Sequence, residues 1–401
     1  MANTNFAFLQ NTTTIAYRVL AGGAIIDTNG RNVLIAAMLE NGLGGAADGG
    51  FTKRGQGILQ LHGNNTYNGK TTIEEGTLSI QDTANLGTGT ELDIHDTATL
   101  RVTADVDLVF SGHEVTVVGD DTSANASIEV TNAALLNVSY ITEEGTAPVS
   151  VTKKGDGTLA LAGASTYTGK TTVEGGRLSL EGGFLGNGEI ASPWIEVLGT
   201  ASEFDTELLA SYTFNADLVS GSGTFRGNYV AADAMEIKIG GTSTGNQGMA
   251  NLADAGDLTG TLTFAGDLSL DNNTLYFQLG GTTQGTDYDH LDVGGTLTLT
   301  GDTKIALSYT NGFEAAWGQE FYLLSWTGFL PPQWGSFDPY AEENFDLPDL
   351  MEGWYWDLDD FMSEGVIRVV PEPGRMLLTL TALGAIALRR RRLAGSKKAS
   401  A

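Results

Sequence analysis

Apolar residues recur at every second position in short bursts along most of the chain. Leu59 and Leu61 alternate with Ile58, Gln60 and His62. The same beat returns at Leu92/Ile94, Leu100/Val102, Val106/Leu108/Phe110 and Val115/Val117, and later at Leu262/Phe264, Leu268/Leu270, Leu275/Phe277/Leu279, Leu297/Leu299 and Ile305/Leu307. A period of two is that of a strand with one face buried. Gly, Asp, Asn and Thr, the residues that make turns, separate the bursts. Spacing of the helical kind does not appear before residue 375. The pattern predicts an all-β chain of many short strands, which a sandwich, a propeller or a solenoid would share.

A duplication favours the solenoid. Residues 53–79 read KRGQGILQLHGNNTYNGKTTIEEGTLS and residues 153–179 read KKGDGTLALAGASTYTGKTTVEGGRLS, with 16 identities in 27 ungapped positions. Shared residues include Lys53/Lys153, Gly55/Gly155, Leu59/Leu159, Tyr67/Tyr167, Lys70/Lys170 and Leu78/Leu178. Each copy reads as strand, glycine-bounded turn, β-branched strand (Thr71–Ile73), turn and strand, close to one coil of a parallel β-helix. One coil cannot bury its own apolar face, whereas stacked coils can.

Charge narrows the function. The net charge is −28, and residues 371–401 carry +6 of their own, which leaves −34 on residues 1–370. A surface this acidic repels phosphate backbones, so no nucleic-acid partner is expected. The chain has no cysteine, which removes disulfides and thiolate chemistry. Its four histidines, His62, His95, His113 and His290, form no metal-binding spacing, and no metal or cofactor is expected. Met1–Leu20 lacks the basic and apolar regions of a secretory signal, so the expectation is a start that is truncated or misassigned.

The duplicated segments resemble the autotransporter-associated β-strand repeat. Lys153, Gly155, Gly157, Thr158, Leu159, Leu161, Gly163, Thr166, Tyr167, Gly169, Thr171, Val173, Gly176 and Leu178 follow its pattern, and Ser165 departs where the pattern has Asn, which Asn65 keeps. The resemblance implies a right-handed parallel β-helix displayed on a bacterial surface. The expected organisation is a solenoid over 1–312 with repeats at 51–80 and 151–180, followed by an aromatic and Pro-rich cap over 313–370. Five of the six tryptophans, Trp317, Trp326, Trp334, Trp354 and Trp356, fall in that second stretch. A cap closes the open apolar end of a solenoid, and a sugar-stacking patch is the functional alternative.

The tail resembles the PEP-CTERM sorting signal. Its residues are Pro371, Glu372 and Pro373, an uncharged segment 376–388 and Arg389, Arg390, Arg391 and Arg392, with a basic tail over 393–401. The uncharged segment reads as a C-terminal hydrophobic helix whose Leu377, Leu378, Leu380, Leu383, Ile386 and Leu388 face the inner membrane. The arginines stay cytoplasmic. The resemblance implies an exosortase-type membrane enzyme as partner and an exported, surface, matrix or membrane-anchored location in a Gram-negative-type bacterium.

Catalytic candidates are few. Asp287, Asp289 and Asp292 lie close together, as do Asp359 and Asp360, but neither set has the spacing of a calcium loop, and solvated turn carboxylates are the expectation. The sequence predicts no enzyme. It predicts a structural or adhesive surface protein, with binding or degradation of extracellular polysaccharide as the alternative.

Overall fold

Coils stack along one axis, and every long sheet is parallel. The computed structural model describes all residues except 1–5, 11–14, 105–106, 111–113, 120–123, 184–185, 242–257, 328–336, 342 and 373–401. One sheet of fourteen strands runs from Phe6–Leu9 to Phe345–Asp346. A sheet of nine, from Leu108–Phe110 to Leu324–Trp326, forms a second face. The third face is a sheet of six up to Ile141–Gly145, continued later by a sheet of four from Tyr212–Thr213 to Leu297–Thr300. The chain is a β-solenoid, as the alternation and the duplication predict.

The alternation explains which residues point inward. Leu59, Leu78 and Leu100 stack in register in the longest sheet and are fully buried. Leu136, Leu159 and Leu178 do the same in the nine-stranded sheet. Core chemistry changes along the axis. Aliphatic residues fill most of the first coils. Phe204, Phe214, Phe225, Tyr229 and Phe264 then build an aromatic stack, with Phe214 and Tyr229 at 4.9 Å and Phe225 and Phe264 at 5.0 Å between ring centroids. Offset and edge contacts of this kind add to the burial of the rings themselves.

The two repeats have the same local structure on different faces. In the first, Phe51–Arg54 belongs to the six-stranded sheet and Ile58–Leu61 to the longest one. In the second, Ser150–Lys154 belongs to the longest sheet and Thr158–Leu161 to the nine-stranded one. Each repeat also stacks on itself. Phe51 stands over Thr71 and Ile58 over Thr77, so a coil within a repeat takes about twenty residues, and the repeat contains one coil and the start of the next. Longer coils between the copies shift the second by one face.

The far end changes character. Glu320–Tyr322, Val366–Pro371 and Trp354–Asp357 form a three-stranded antiparallel sheet with Val366–Pro371 in the middle. Its inner side carries Phe321, Ile367 and Val369, all fully buried. Trp354 and Trp356 pack on the core from the same side. A single helical turn, Phe361–Glu364, precedes the middle strand. Among the described residues no helix is long and apolar enough to cross a membrane. The predicted C-terminal helix, with Pro373, Leu377, Leu378, Leu380, Leu383, Ile386, Leu388 and Arg389 to Arg392, lies outside the described residues.

Candidate functional site: repeat corners, acidic candidates and the cap

The residues shared by the two repeats meet at the solenoid corners. Lys53 lies in phase with Phe51, on the inward row between Ile26 and Ile73, and is fully buried. Its ammonium bends to the corner and donates to the carbonyls of Arg54 (2.9 Å), Glu75 (2.9 Å) and Gly55. Lys153 repeats the arrangement, donating to the carbonyls of Lys154 (2.8 Å), Gly155 (2.9 Å) and Gly175 (3.0 Å). One side chain thus bonds carbonyls from two successive coils, and at the first copy Thr28 of the preceding coil also donates to the Arg54 and Gly55 carbonyls. Burial pulls both ammonium groups down to about 8.

The glycines let the corners stack this closely. Gly76 and Gly176 adopt φ +69° and +60°. A Cβ on Gly76 would sit 2.7 Å from the carbonyl oxygens of Gly55 and Gly57, and one on Gly176 would sit 2.3 Å from that of Gly157. Only glycine meets both the conformation and the space.

Tyr67 and Tyr167 are fully buried, and their hydroxyls bond Thr71 Oγ1 (2.7 Å) and Thr171 Oγ1 (2.8 Å). Asn65 accepts from the Leu39 N–H (2.8 Å) of the coil before and donates to the Asn85 carbonyl (2.5 Å) of the coil after. Ser165, the departure from the repeat pattern, keeps the backward contact, accepting from the Ile141 N–H at 3.0 Å. A hydroxyl is too short to supply the forward one in the same way.

The second lysine of the repeat reaches outward. Lys70 pairs with Asp93 at 2.8 Å and remains partly exposed. Lys170 pairs with Glu196 at 2.5 Å, with both side chains buried, and its ammonium lies 3.7 Å from the centre of the Trp194 ring. Trp194 Nε1 donates to Ser220 Oγ at 2.8 Å, which closes the cluster. Neither this pair nor the corner clamps was legible as such in the sequence. The one available signal was the inward phase of Lys53 with Phe51.

The acidic candidates serve separate structural contacts. Asp289 is fully buried and accepts from the N–H groups of Gly260 (2.8 Å) and Gln278 (2.7 Å). Burial pushes its carboxyl well above the ordinary range. Asp287 holds a turn by accepting from the Thr283 N–H at 3.1 Å, and hydrogen bonds from the Thr283 hydroxyl and then its N–H keep the carboxyl below the ordinary value. Asp359 accepts from the Tyr340 hydroxyl, and Asp360 pairs with Arg368. Asp292 accepts from Ser325 Oγ at 2.5 Å, and Ser325 Oγ is 2.8 Å from His290 Nε2. Ser, His and Asp therefore meet, but not as a catalytic triad. There the carboxylate orients the histidine. Here it holds the serine, and His290 Nδ1 faces the Tyr322 carbonyl at 2.8 Å. The three residues tie the strand His290–Val293 to Leu324–Trp326 in the next coil. Burial lowers the His290 pKa from the ordinary histidine value.

His62 is exposed, His95 half-buried, and His113 lies outside the described residues. Among the described residues no group of three His, Asp or Glu side chains is placed to hold a metal. A cavity of about 190 Å³ at the N-terminal end is lined by Leu9, Tyr17, Val19, Ile26, Leu39 and Phe51 among others, with Arg18 as the one charged residue in a mostly apolar lining.

The aromatic stretch splits in two. Trp326, Trp354 and Trp356 pack on the core, whereas Trp317 is 66% exposed, and Trp334 lies outside the described residues. The first two residues of the PEP tripeptide belong to the cap. Pro371 ends the middle strand opposite Trp354, and the Glu372 N–H donates to the Gly353 carbonyl at 3.0 Å.

Residues 51–80 and 151–180 match the passenger-associated-transport-repeat family. The chain is also similar to the adhesin BmaC autotransporter of Brucella suis biovar 1 (strain 1330), at 30% identity over 292 residues. That alignment covers 65% of this chain, and the chain spans 8% of the adhesin's length. No solved structure matches the chain.

Proposed function

We propose that this chain is an exported β-solenoid that acts at the bacterial surface by display and adhesion, and that residues 371–392 sort or anchor it there. One observation carries the reading. The residues the two repeats share are spent on stacking coil on coil, as in a scaffold, and the repeats match a family associated with passenger transport. Similarity to an adhesin supports surface adhesion, and the sorting segment rests on the tripeptide, the uncharged run and the arginines. The partner implied is an exosortase-type enzyme of the inner membrane.

Fractionation of the producing cells with intact-mass analysis tests the sorting. A surface or matrix form ending near Pro371–Pro373, together with loss of attachment when the gene is deleted, is the expected result. A full-length cytoplasmic form keeping Arg389–Arg392 would sink the reading.

A further inference from the structure

The end of the cap sheet holds the start of the sorting tripeptide. Val366–Pro371 is hydrogen-bonded along both edges, to Glu320–Tyr322 and to Trp354–Asp357. The Val369 N–H donates to the Gln319 carbonyl at 3.0 Å, and the Val369 carbonyl accepts from the Gly318 N–H at 2.9 Å. Val366, Ile367 and Val369 are fully buried, and Arg368 is pinned by Glu320 (2.8 Å) and Asp360. Pairing does not stop before the tripeptide. Gly353 and Glu372 form a bonded pair, so the alternation of an antiparallel ladder makes Tyr355–Val370 the next bonded pair. Trp354–Pro371 falls between them, where the ladder asks for no N–H, and proline fits there.

Peptidases commonly grip an extended substrate by adding it as a strand, through main-chain N–H and C=O groups on both sides of the bond to be cut. On the N-terminal side of Pro373, the cap already uses those groups at Val370 and Glu372. Peeling the whole strand would expose Val366, Ile367 and Val369. Fraying only Val370–Glu372 away from Gly353–Tyr355 frees the main chain and leaves the buried residues in place.

We infer that the antiparallel pairing of Val370–Glu372 with Gly353–Tyr355 gates processing of the tail, so the tripeptide is available to the membrane enzyme only when this strand end frays. The inference rests on the sorting reading above. The chemical step is hydrolysis of one peptide bond near the tripeptide. The C–N bond breaks, and water supplies a hydroxyl to the new carboxyl end and a proton to the new amine. When opening is fast relative to cutting, the rate follows the population of the open form.

The test uses the full chain, produced in a bacterium that has an enzyme of this class and followed by intact mass over time. In a stapled variant, Tyr355→Cys with Val370→Cys, the paired Cα atoms of a bonded pair lie within disulfide range. In a loosened variant, Tyr355→Pro removes one ladder donor. An unrelated soluble reporter carrying residues 371–401 shows what the tail does without the cap. The expected result is at least about tenfold slower processing when stapled, recovery on reduction, and processing of the loosened chain and the reporter faster than that of the native chain. A reporter that is never processed overturns the sorting reading itself. A processed reporter together with a stapled chain cut at the native rate overturns the gate and leaves the sorting reading standing.

Discussion

At the residue scale, the buried lysines and tyrosines of the repeat give the fold a pH signature. Each clamp supplies three N–H donors to three carbonyls, and it does so with a charge taken out of water. Burial lowers Lys53 and Lys153 from 10.5 to about 8, with the nearby carboxylates acting the other way. Below about pH 8 both states hold these protons, and the lysines add no pH dependence. Between about 8 and 10.5 the unfolded chain keeps protons that the folded chain has released, so stability rises with pH. Tyr67 and Tyr167 have the opposite sign. Burial raises them above their ordinary value of 10.0, so above pH 10 the unfolded chain loses phenolic protons that the folded chain keeps, and stability falls. The urea midpoint is expected to climb from about pH 8 to about pH 10 and to drop beyond it. Lys153→Met should flatten part of the climb. A midpoint that only falls across that range would contradict the assignment.

At the element scale, the two copies of one motif supply an internal comparison. Lys70 and Lys170 occupy the same repeat position, and each reaches a carboxylate in the next coil. They differ in burial. The Lys170 and Glu196 side chains are 5% and 1% exposed, whereas that of Lys70 is 40% exposed. Breaking a buried pair leaves an uncompensated charge and costs about 3–5 kcal/mol, while a fully exposed pair contributes about 0–1 kcal/mol; the Lys70–Asp93 pair, with the Asp93 side chain 10% exposed and Lys70 open to water, falls between. Glu196→Gln strands a lysine that is closed off from water whereas Asp93→Asn leaves one that water can reach, so Glu196→Gln is expected to destabilise more than Asp93→Asn in chemical denaturation. Equal effects would mean that the Trp194 and Ser220 surroundings do not isolate Lys170 from water.

This contrast also marks how far the sequence could be read. Period-two alternation identified the inward residues of the long sheets because half-buried strands leave that trace directly: Leu59, Leu78, Leu262 and Leu275 are all buried. The duplication located the repeats because their glycines and lysines are fixed by close stacking. The faces they occupy depend on the lengths of the intervening coils, which carry no repeat signal. Burial of Lys170 depends on Trp194, Glu196 and Ser220, residues far enough along the chain that no local spacing joins them. The acidic cluster at 287–292 looked like one group because it is local in sequence. The coil turns between Asp287 and His290 and sends its members to different contacts.

At the scale of the whole molecule, stability is close to a sum over neighbouring coils, and the ends matter most. The C-terminal end is closed by the antiparallel sheet, whose Phe321 touches Tyr288 (5.3 Å), Trp356 (6.0 Å) and Phe313 (6.2 Å) between ring centroids. Phe321 therefore joins the last coils to the cap, and Phe321→Ala should cost about 3–5 kcal/mol. In a globular domain that loss would lower one cooperative transition. In a solenoid it should fall on the cap, because coils far from the substitution keep all their neighbours. Trp317, Trp354 and Trp356 belong to the cap, whereas Trp326 ends the last strand of the nine-stranded sheet and Trp194 sits within the stack, so intrinsic fluorescence carries a large contribution from the cap. The variant is expected to show an early fluorescence transition while far-UV circular dichroism keeps its β signal to higher temperature. Opening the cap also uncovers the apolar end and unpaired strand edges of the final coils, so the intermediate should self-associate in ultracentrifugation. Coincident transitions by both probes would mean that cap and solenoid unfold as one unit.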